Sequence, residues 1–316
     1  FEDSPISLIN EGATLINIDK IKFNNFDRNN LKLKGFIFKK KIEIYFKDRN
    51  KLIIKIPEIG SNINSVFNSN SNLSNFSANV RSKILNTNLQ FDITKNKNLI
   101  ISNSFMRNKK FLSSFDGKLI LNPYFNFDLD LDFKKIDFLY LKNSNFIKNM
   151  YEFINENSQI NGDITINFEN KRINFKEIKK INLPMSIQNR EIKVKDAKFE
   201  FDNFNFLMSG ILSNNTGYRK FDFTLDININ NKKKFLKKYG ISKDEDNLPI
   251  KLDISGSLNL VSKKIYLKNI LINKEYSVKK EKLNILNQEI QGKIINESLF
   301  GFFEKERISK FIKKIN

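Results

Sequence analysis

The sequence predicts a mostly β protein, a long, curled and mainly antiparallel β-sheet groove with a few short helices. Apolar and polar residues alternate along many short segments, and turn-forming residues separate those segments. Such alternation is typical of strands with one buried face. A third observation, a glycine that recurs on the apolar side of these segments, predicts that the sheet curls.

The alternation is strictest over residues 125–133, where Asn or Asp separates one apolar residue from the next. Side chains along a strand point to opposite faces in turn, so the apolar residues share one face, whereas a helix would mix them. The same pattern returns over 221–229 and 250–260. The residues predicted to line the apolar wall are Phe125, Phe127, Leu129, Leu131, Phe133, Phe223, Leu225, Ile227, Leu252, Ile254 and Leu258.

Turn signals lie between these strands. The run Asn214-Asn215-Thr216-Gly217 predicts a hairpin loop, and Asp48-Arg49-Asn50 predicts another more weakly. Residues 61–79 are rich in Ser and Asn, which predicts either a long loop or irregular strands. Over 199–206 the apolar phase slips at Asp202-Asn203. A β-bulge there would restore the apolar face, whereas a simple slip would reverse it.

Helical signals are few. Residues 146–155 predict a short helix, and residues 232–239 predict another that ends at Gly240. The C-terminal stretch, about 298–315, carries the strongest amphipathic pattern, with Lys and Arg around an apolar stripe. That helix is expected either to cover an open sheet edge, to lie on an anionic membrane, or to contact an envelope protein.

One short pattern recurs: apolar residue, any residue, Gly, any residue, apolar residue. Gly weakens a strand, so its repeated place on the apolar face requires a physical reason. It allows a wide sheet to curl, or it leaves room for another backbone or a ligand. The glycines of this pattern are Gly35, Gly117, Gly162, Gly210, Gly256 and Gly292.

Composition excludes several classes of active site. The chain has 316 residues of which 40% are hydrophobic, with no Cys and no His. Thiolate and imidazole chemistry, disulfides and the Ser-His-Asp triad are therefore excluded. Acidic runs at 128–132 and 244–246 are expected to be a solvated strand face and a surface loop. We expect no enzyme activity, no cofactor and no metal site.

The formal net charge of +20 has two explanations. A basic surface would attract an anionic partner such as nucleic acid or a lipid surface. Alternatively, Lys, Asn, Ile and Phe are all encoded by A- and T-rich codons, so an AT-rich genome gives the same balance. The lysines are spread along the chain, and the aromatic residues alternate to the opposite strand face. Nucleic-acid binding by stacking platforms is therefore not expected.

The apolar face of such a sheet must be covered by a second sheet, by helices or by a ligand that is not protein. The predicted helices are too few and too short to cover it. About 15 to 20 strands at about 4.8 Å would form a groove of roughly 70–95 Å. A curled groove whose inner wall contacts acyl chains is one answer, and a closed β-sandwich is the other.

Successive alternating strands that carry the glycine pattern resemble the AsmA-like superfamily. The stretch 160–272 carries this resemblance best, through Gly162-Asp163-Ile164, Ser209-Gly210 and the run 252–260, and residues 115–138 are similar in style. The resemblance covers about two thirds of the chain and includes no catalytic motif. The basic charge and the Asn-rich 61–79 stretch depart from the family pattern.

The resemblance implies a periplasmic protein anchored to the inner membrane of a bacterial envelope by a segment absent from this chain. It implies a bridge-like hydrophobic groove that carries or shields phospholipid between the inner and outer membranes and supports outer-membrane biogenesis. Residues 1–316 would then be one continuous groove segment of a longer protein. The alternative is a structural or adhesive surface β-sandwich without lipid cargo.

Overall fold

The computed structural model describes residues 2–294 except 11–12, 28–29, 38–39, 49, 69–74, 85, 121–125, 138–160, 171–177, 216–217, 239–248, 261 and 263. The chain forms two compact units, unit 1 (Phe1–Ile136) and unit 2 (Asp137–Asn316). The predicted continuity of one groove along the whole chain stays a prediction.

Unit 1 contains eleven strands and one turn of 3₁₀ helix, Pro57–Ile59, among its described residues. The strands are β1 (Glu2–Asn10), β2 (Ala13–Asp27), β3 (Asn30–Ile37), β4 (Lys40–Lys47), β5 (Lys51–Ile56), β6 (Ser61–Phe67), β7 (Phe76–Ile84), β8 (Thr87–Lys95), β9 (Leu99–Arg107), β10 (Phe111–Ile120) and β11 (Asn126–Ile136).

The described part of unit 2 contains eight strands and two α-helices. In chain order these are β12 (Asn161–Glu169), β13 (Ile178–Gln188), β14 (Glu191–Phe201), β15 (Phe204–Asn215), β16 (Tyr218–Ile229), α1 (Lys232–Lys238), β17 (Ile250–Asn259), β18 (Lys264–Ile272), β19 (Tyr276–Ser277) and α2 (Lys280–Ile294).

Within each unit, every described strand pairs antiparallel with the next strand in the chain. The predicted fold class, a mostly β and mainly antiparallel sheet with few short helices, is confirmed. The hairpin at 48–50 joins β4 to β5, and the pairing of Asn215 with Tyr218 confirms the predicted hairpin between β15 and β16. Most of these connections are two to five residues long, and such a short connection returns the chain beside itself.

Of the two alternatives for residues 61–79, the long loop is wrong. Ser61–Phe67 forms β6 and Phe76–Ile84 forms β7, and these strands pair with each other from Asn62 to Phe67. Ser and Asn have low strand propensity, which hides the alternation of Ile63 and Ser65 with asparagines. Pairing with β5 on one side and β7 on the other overrides that propensity, because it gives the backbone groups of β6 hydrogen-bond partners on both sides.

The phase slip at Asp202-Asn203 is neither a bulge nor a simple slip. Those two residues form a tight turn between β14 and β15, so the apolar phase changes because the chain reverses. Ring stacking confirms that both strands keep their apolar residues on one face. The Phe201 and Phe204 centroids lie 4.2 Å apart, and those of Phe199 and Phe206 lie 4.4 Å apart.

A genuine β-bulge lies elsewhere, at Asp196 in β14. The register against β15 shifts between Val194 and Ala197, and Asp196 has a φ of 52°. The extra residue returns Ala197 to the apolar face, where it is fully buried opposite Met208.

Two helices cover part of the apolar face of unit 2. On α1, Phe235 and Leu236 pack with Phe204, Phe206 and Ile229. On α2, Leu283 and Leu286 pack with a core of β17 and β18 that includes Leu267 and Ile270. Asn231 caps α1 by accepting a hydrogen bond from the Lys234 N–H at 2.8 Å.

The predicted helices have different outcomes. The helix predicted at 232–239 is confirmed as α1, while the stretches 146–155 and 298–315 lie outside the described residues. The sequence pattern does not predict helix α2, because it assigns Gly292 to a strand. The spacing of Leu283, Leu286 and Ile290 is helical, and it is the signal that could have identified this element.

Candidate functional site

A mainly apolar row of ten residues, two of them serine, crosses ten strands of unit 1, from β2 to β11. The row follows from strand register, because each of its residues is paired with the next residue of the row on the neighbouring strand. The row consists of Phe23, Leu33, Ile44, Ile54, Ile63, Ser82, Leu89, Met106, Ser113 and Phe133. Nine strand spacings give it a length of about 43 Å. We call the side of unit 1 that carries this row its apolar face, and the opposite side its polar face.

Large side chains on this apolar face remain accessible. Phe23 is 43% exposed, Phe46 is 40% exposed and Leu31 is 37% exposed, and all three lie on its β2–β4 part. Among the described residues of unit 1, the only helical element is the 3₁₀ turn between β5 and β6. The described part of unit 1 therefore supplies no helical layer for this face.

Small side chains occupy the middle of the same face, on β6 and β7. Ser61, Ser65, Ala78 and Ser82 are all buried there, between strands that carry Phe, Ile and Leu. The Ser82 hydroxyl has no hydrogen-bond partner, although it is buried. Ser61, Ser65 and Ala78 lie within the 61–79 stretch, for which the sequence predicts either a loop or strands, and Ser82 lies just after it. None of the four is among the predicted wall residues.

The predicted wall residues of β11 lie where the alternation places them. Phe127 is buried, Leu129, Leu131 and Phe133 are half-buried, and the aspartates between them are exposed. Phe133 ends the ten-strand row, so the β11 set belongs to the apolar face of unit 1. Phe125 lies outside the described residues.

The predicted wall residues of unit 2 divide into two groups. Phe223, Leu225 and Ile227 on β16 are half-buried. In contrast, Leu252, Ile254 and Leu258 on β17 are only 3–5% exposed, because they share a core with α2. The prediction that these three form an open wall is therefore corrected, since protein already covers them. The expectation that helices are too few to cover the sheet fails at this part of unit 2.

Helix α2 also engages the outer edge of β18. The Leu267 N–H donates a hydrogen bond to Asn287 Oδ1 at 2.7 Å, and Asn287 Nδ2 donates to the Leu267 carbonyl at 3.0 Å. One side-chain amide thereby satisfies both backbone groups of an edge residue, as a paired strand would. The sequence predicts that the 298–315 helix could cover a sheet edge. In the structure, α2 covers the edge of β18 at Leu267.

Five of the six predicted glycines lie in strands: Gly35, Gly117, Gly162, Gly210 and Gly256. Gly292 does not, since it lies in α2, and its assignment to a strand is wrong. Its apolar neighbours Ile290 and Ile294 suit either structure, and packing against β18 favours the helix. Gly162 has a φ of 155°, a conformation that other residues rarely adopt.

Close approach of a neighbouring strand explains Gly210 and Gly256. A Cβ on Gly256 would lie 2.6 Å from the Tyr266 carbonyl oxygen and 2.8 Å from the Phe223 ring. One on Gly210 would lie 2.6 Å from both the Asp222 carbonyl oxygen and the Phe221 ring. At these two positions the adjacent strand and an aromatic ring therefore leave no room for a side chain, and curling of the sheet stays a prediction.

Two aspartates, Asp222 and Asp226, lie on the side of β16 opposite to Phe223, Leu225 and Ile227, and their environments differ. Burial and the negative charge of Asp253, directly opposite, raise the pKa of Asp226. A hydrogen bond from Lys268 at 2.7 Å, with Lys220 at 2.9 Å, lowers the pKa of Asp222. Ionised Asp226 therefore destabilises the fold, whereas ionised Asp222 stabilises it.

Asp226→Asn is expected to raise the free energy of unfolding at pH 7 by about 0.5 kcal/mol, and Asp222→Asn to lower it by about the same amount. The stability associated with Asp226 is present at low pH and lost as pH rises through its raised pKa. That associated with Asp222 is present at neutral pH and lost as pH falls through its lowered pKa. Urea unfolding at several pH values measures both. If both variants changed the free energy of unfolding at pH 7 in the same direction, this assignment would be wrong.

Among the described residues, no group of three or more acidic side chains is arranged to hold a metal ion, and no helix has the length and hydropathy needed to span a membrane. Asp128, Asp130 and Asp132 are exposed, as predicted for a solvated strand face. Comparison of the chain with protein-family models, with curated proteins and with solved structures finds no match in any of the three.

Proposed function

We propose that the apolar face of unit 1 binds the acyl chains of phospholipid, and that the chain carries or shields such lipid between the membranes of a bacterial envelope. One observation carries this proposal. A ten-strand apolar row runs across unit 1 beside phenylalanines that are about two fifths exposed, and its described residues supply no helix to cover it. Exposed apolar patches of this size mark binding surfaces.

The energetics support a non-specific apolar ligand. Each 100 Å² of apolar surface removed from water contributes about 2.5 kcal/mol, so one extended acyl chain along the row offsets the cost of association. The row is about 43 Å long, which accommodates a chain lying across the strands. The polar groups on this face are few and small, which suits a hydrocarbon ligand better than a polar one.

We also propose a cellular location for the protein, and we propose that it catalyses no reaction. The AsmA-like resemblance of the strand and glycine pattern supports a periplasmic protein, attached to the inner membrane by a segment outside this chain. The chain has no Cys and no His, and the proposed activity is lipid binding without covalent catalysis. Within unit 2, the half-buried residues of β16 are a candidate lipid contact of their own, whereas the part of β17 that α2 covers is not.

Two phenylalanines of equal exposure test the proposal. Phe46 lies on the apolar face and is 40% exposed, and Phe105 lies on the polar face of β9, opposite Gln90, and is 39% exposed. We expect Phe46→Asn to lower the amount of phospholipid that copurifies, by about threefold or more, and Phe105→Asn to leave it unchanged. Native mass spectrometry with lipid extraction measures the ratio of lipid to protein.

Circular dichroism establishes that both variants fold as the parent does. If the parent protein is monomeric, folded and free of lipid, the proposal fails and a structural or adhesive role is favoured. If both variants retain lipid equally, lipid binds elsewhere and the assignment of the face is wrong.

A further inference from the structure

We infer that one rim of unit 1 binds the anionic headgroups of the lipids whose acyl chains lie on the apolar face. This inference rests on the proposed function and names the substrate class, an anionic phospholipid. The lysines are dispersed along the sequence, and the register of the sheet brings a set of them to one rim. Positive charge that is spread in the sequence is therefore concentrated in the structure.

The two rims of unit 1 follow from its topology. Successive antiparallel strands connect at alternating ends. The connections β3–β4, β5–β6, β7–β8 and β9–β10 lie at one end, and β4–β5, β6–β7, β8–β9 and β10–β11 lie at the other. The first end carries Lys40, Lys41, Lys83, Arg107, Lys109 and Lys110, which we call the basic rim.

All six cations of the basic rim are exposed. They extend from β4 to β10, a span of about 29 Å at the usual strand spacing. Glu58 lies on the same rim, in the connection between β5 and β6, and accepts a hydrogen bond from the Lys41 N–H at 3.0 Å. Glu43 lies further along β4, 3.8 Å from Lys34. Six cations against these two carboxylates give the rim an excess of positive charge.

The opposite rim is mixed. It carries Lys47, Lys51, Lys95 and Lys97, but Asp48, Asp92 and Asp128 lie among or near them. Asp92 is held ionised by hydrogen bonds from Asn79 and Asn103, which lower its pKa. Between β4 and β10, the described strand ends and connections carry six cations and Glu58 on the basic rim, against four lysines and Asp48 on the opposite rim.

One cation of the basic rim, Lys40, borders the apolar face. It alternates with Ile42 and Ile44 from the first position of β4, so its side chain leaves the sheet on the apolar side, whereas Lys41, Lys83 and Arg107 alternate to the polar side. An ammonium group at the border of an apolar surface is suited to a ligand with an apolar body and an anionic end. Stacked bases would instead require aromatic side chains beside the cations on that face.

Two variants with equal charge change test the inference. The rim variant replaces Lys40, Lys41, Lys83 and Lys109 by Gln, and the control variant replaces Lys47, Lys51, Lys95 and Lys97 by Gln. Each removes four positive charges from unit 1, so non-specific attraction falls equally. The measurement is loading from vesicles of phosphatidylcholine, alone or with phosphatidylglycerol, quantified by mass spectrometry of lipid bound to the purified chain.

We expect the parent and the control variant to load phosphatidylglycerol at least fivefold over phosphatidylcholine at low salt. We expect the rim variant to load both equally, with phosphatidylcholine loading unchanged. Equal preference in all three proteins would overturn the inference and leave the proposed function intact. No loading of either lipid would instead overturn the proposed function. If the rim variant lost binding to single-stranded DNA but kept its lipid preference, the rim would belong to a nucleic-acid partner and the inference would fail.

Discussion

Replacing Asn287 by Leu is expected to lower the free energy of unfolding by about 3 kcal/mol. Asn287 is 4% exposed, and its amide satisfies both the N–H and the carbonyl of Leu267. Leucine has similar volume and suits the surrounding apolar core, but it leaves two buried backbone groups without partners. Each such group costs about 1–3 kcal/mol.

Asn284→Leu is the matched control, since Asn284 lies on the same helix and is exposed. It is expected to change stability by less than about 0.5 kcal/mol. Denaturant unfolding measures both variants, and hydrogen exchange reports the protection of the Leu267 amide directly. Unchanged protection in Asn287→Leu would show that helix packing alone holds this edge.

Gly256→Ala is expected to destabilise unit 2 by about 2–3 kcal/mol. The added methyl group would meet the Tyr266 carbonyl at 2.6 Å and the Phe223 ring at 2.8 Å. The carbonyl belongs to the backbone of β18, so relief requires β17 and β18 to separate and weakens the core they share with α2.

Gly60→Ala separates the effect of space from that of backbone conformation. Gly60 has a φ of 58°, and no atom lies within 4 Å of the position that an alanine methyl group would take. Only the left-handed conformation therefore opposes the substitution, at about 1 kcal/mol. Denaturant unfolding, with hydrogen exchange on β18 and β6 to resolve the two units, compares the variants. Equal costs would mean that close approach does not explain Gly256.

Much of the sheet could be predicted because its signal is local. The alternation over 125–133 reports which side chains share a face, and β11 has that arrangement. The covering of the face could not be predicted in the same way. Helix α2 lies over β18 because Leu283, Leu286 and Asn287 match one edge and one core, which is a tertiary fit without a strand-level signature.

The glycine pattern illustrates the same limit. Gly256 and Gly292 have similar apolar neighbours in the sequence, yet one lies in a strand beneath a phenylalanine ring and the other in a helix. The ring over Gly256 belongs to Phe223 on the neighbouring strand β16, so a five-residue sequence pattern does not include it. The basic rim is likewise a product of register, since Lys41 and Lys109 are far apart in the chain and share a rim only through strand pairing.

The pairing of each described strand with its chain neighbour makes each unit a nearly one-dimensional object. Each strand contacts mainly the strands next to it in the chain, so a hairpin can form first and its neighbours can add to it in turn. A chain that emerges gradually can therefore fold as it appears. Inserting or deleting a whole hairpin would preserve the faces of all the other strands, so the span of such a sheet can change in evolution without redesign of its register.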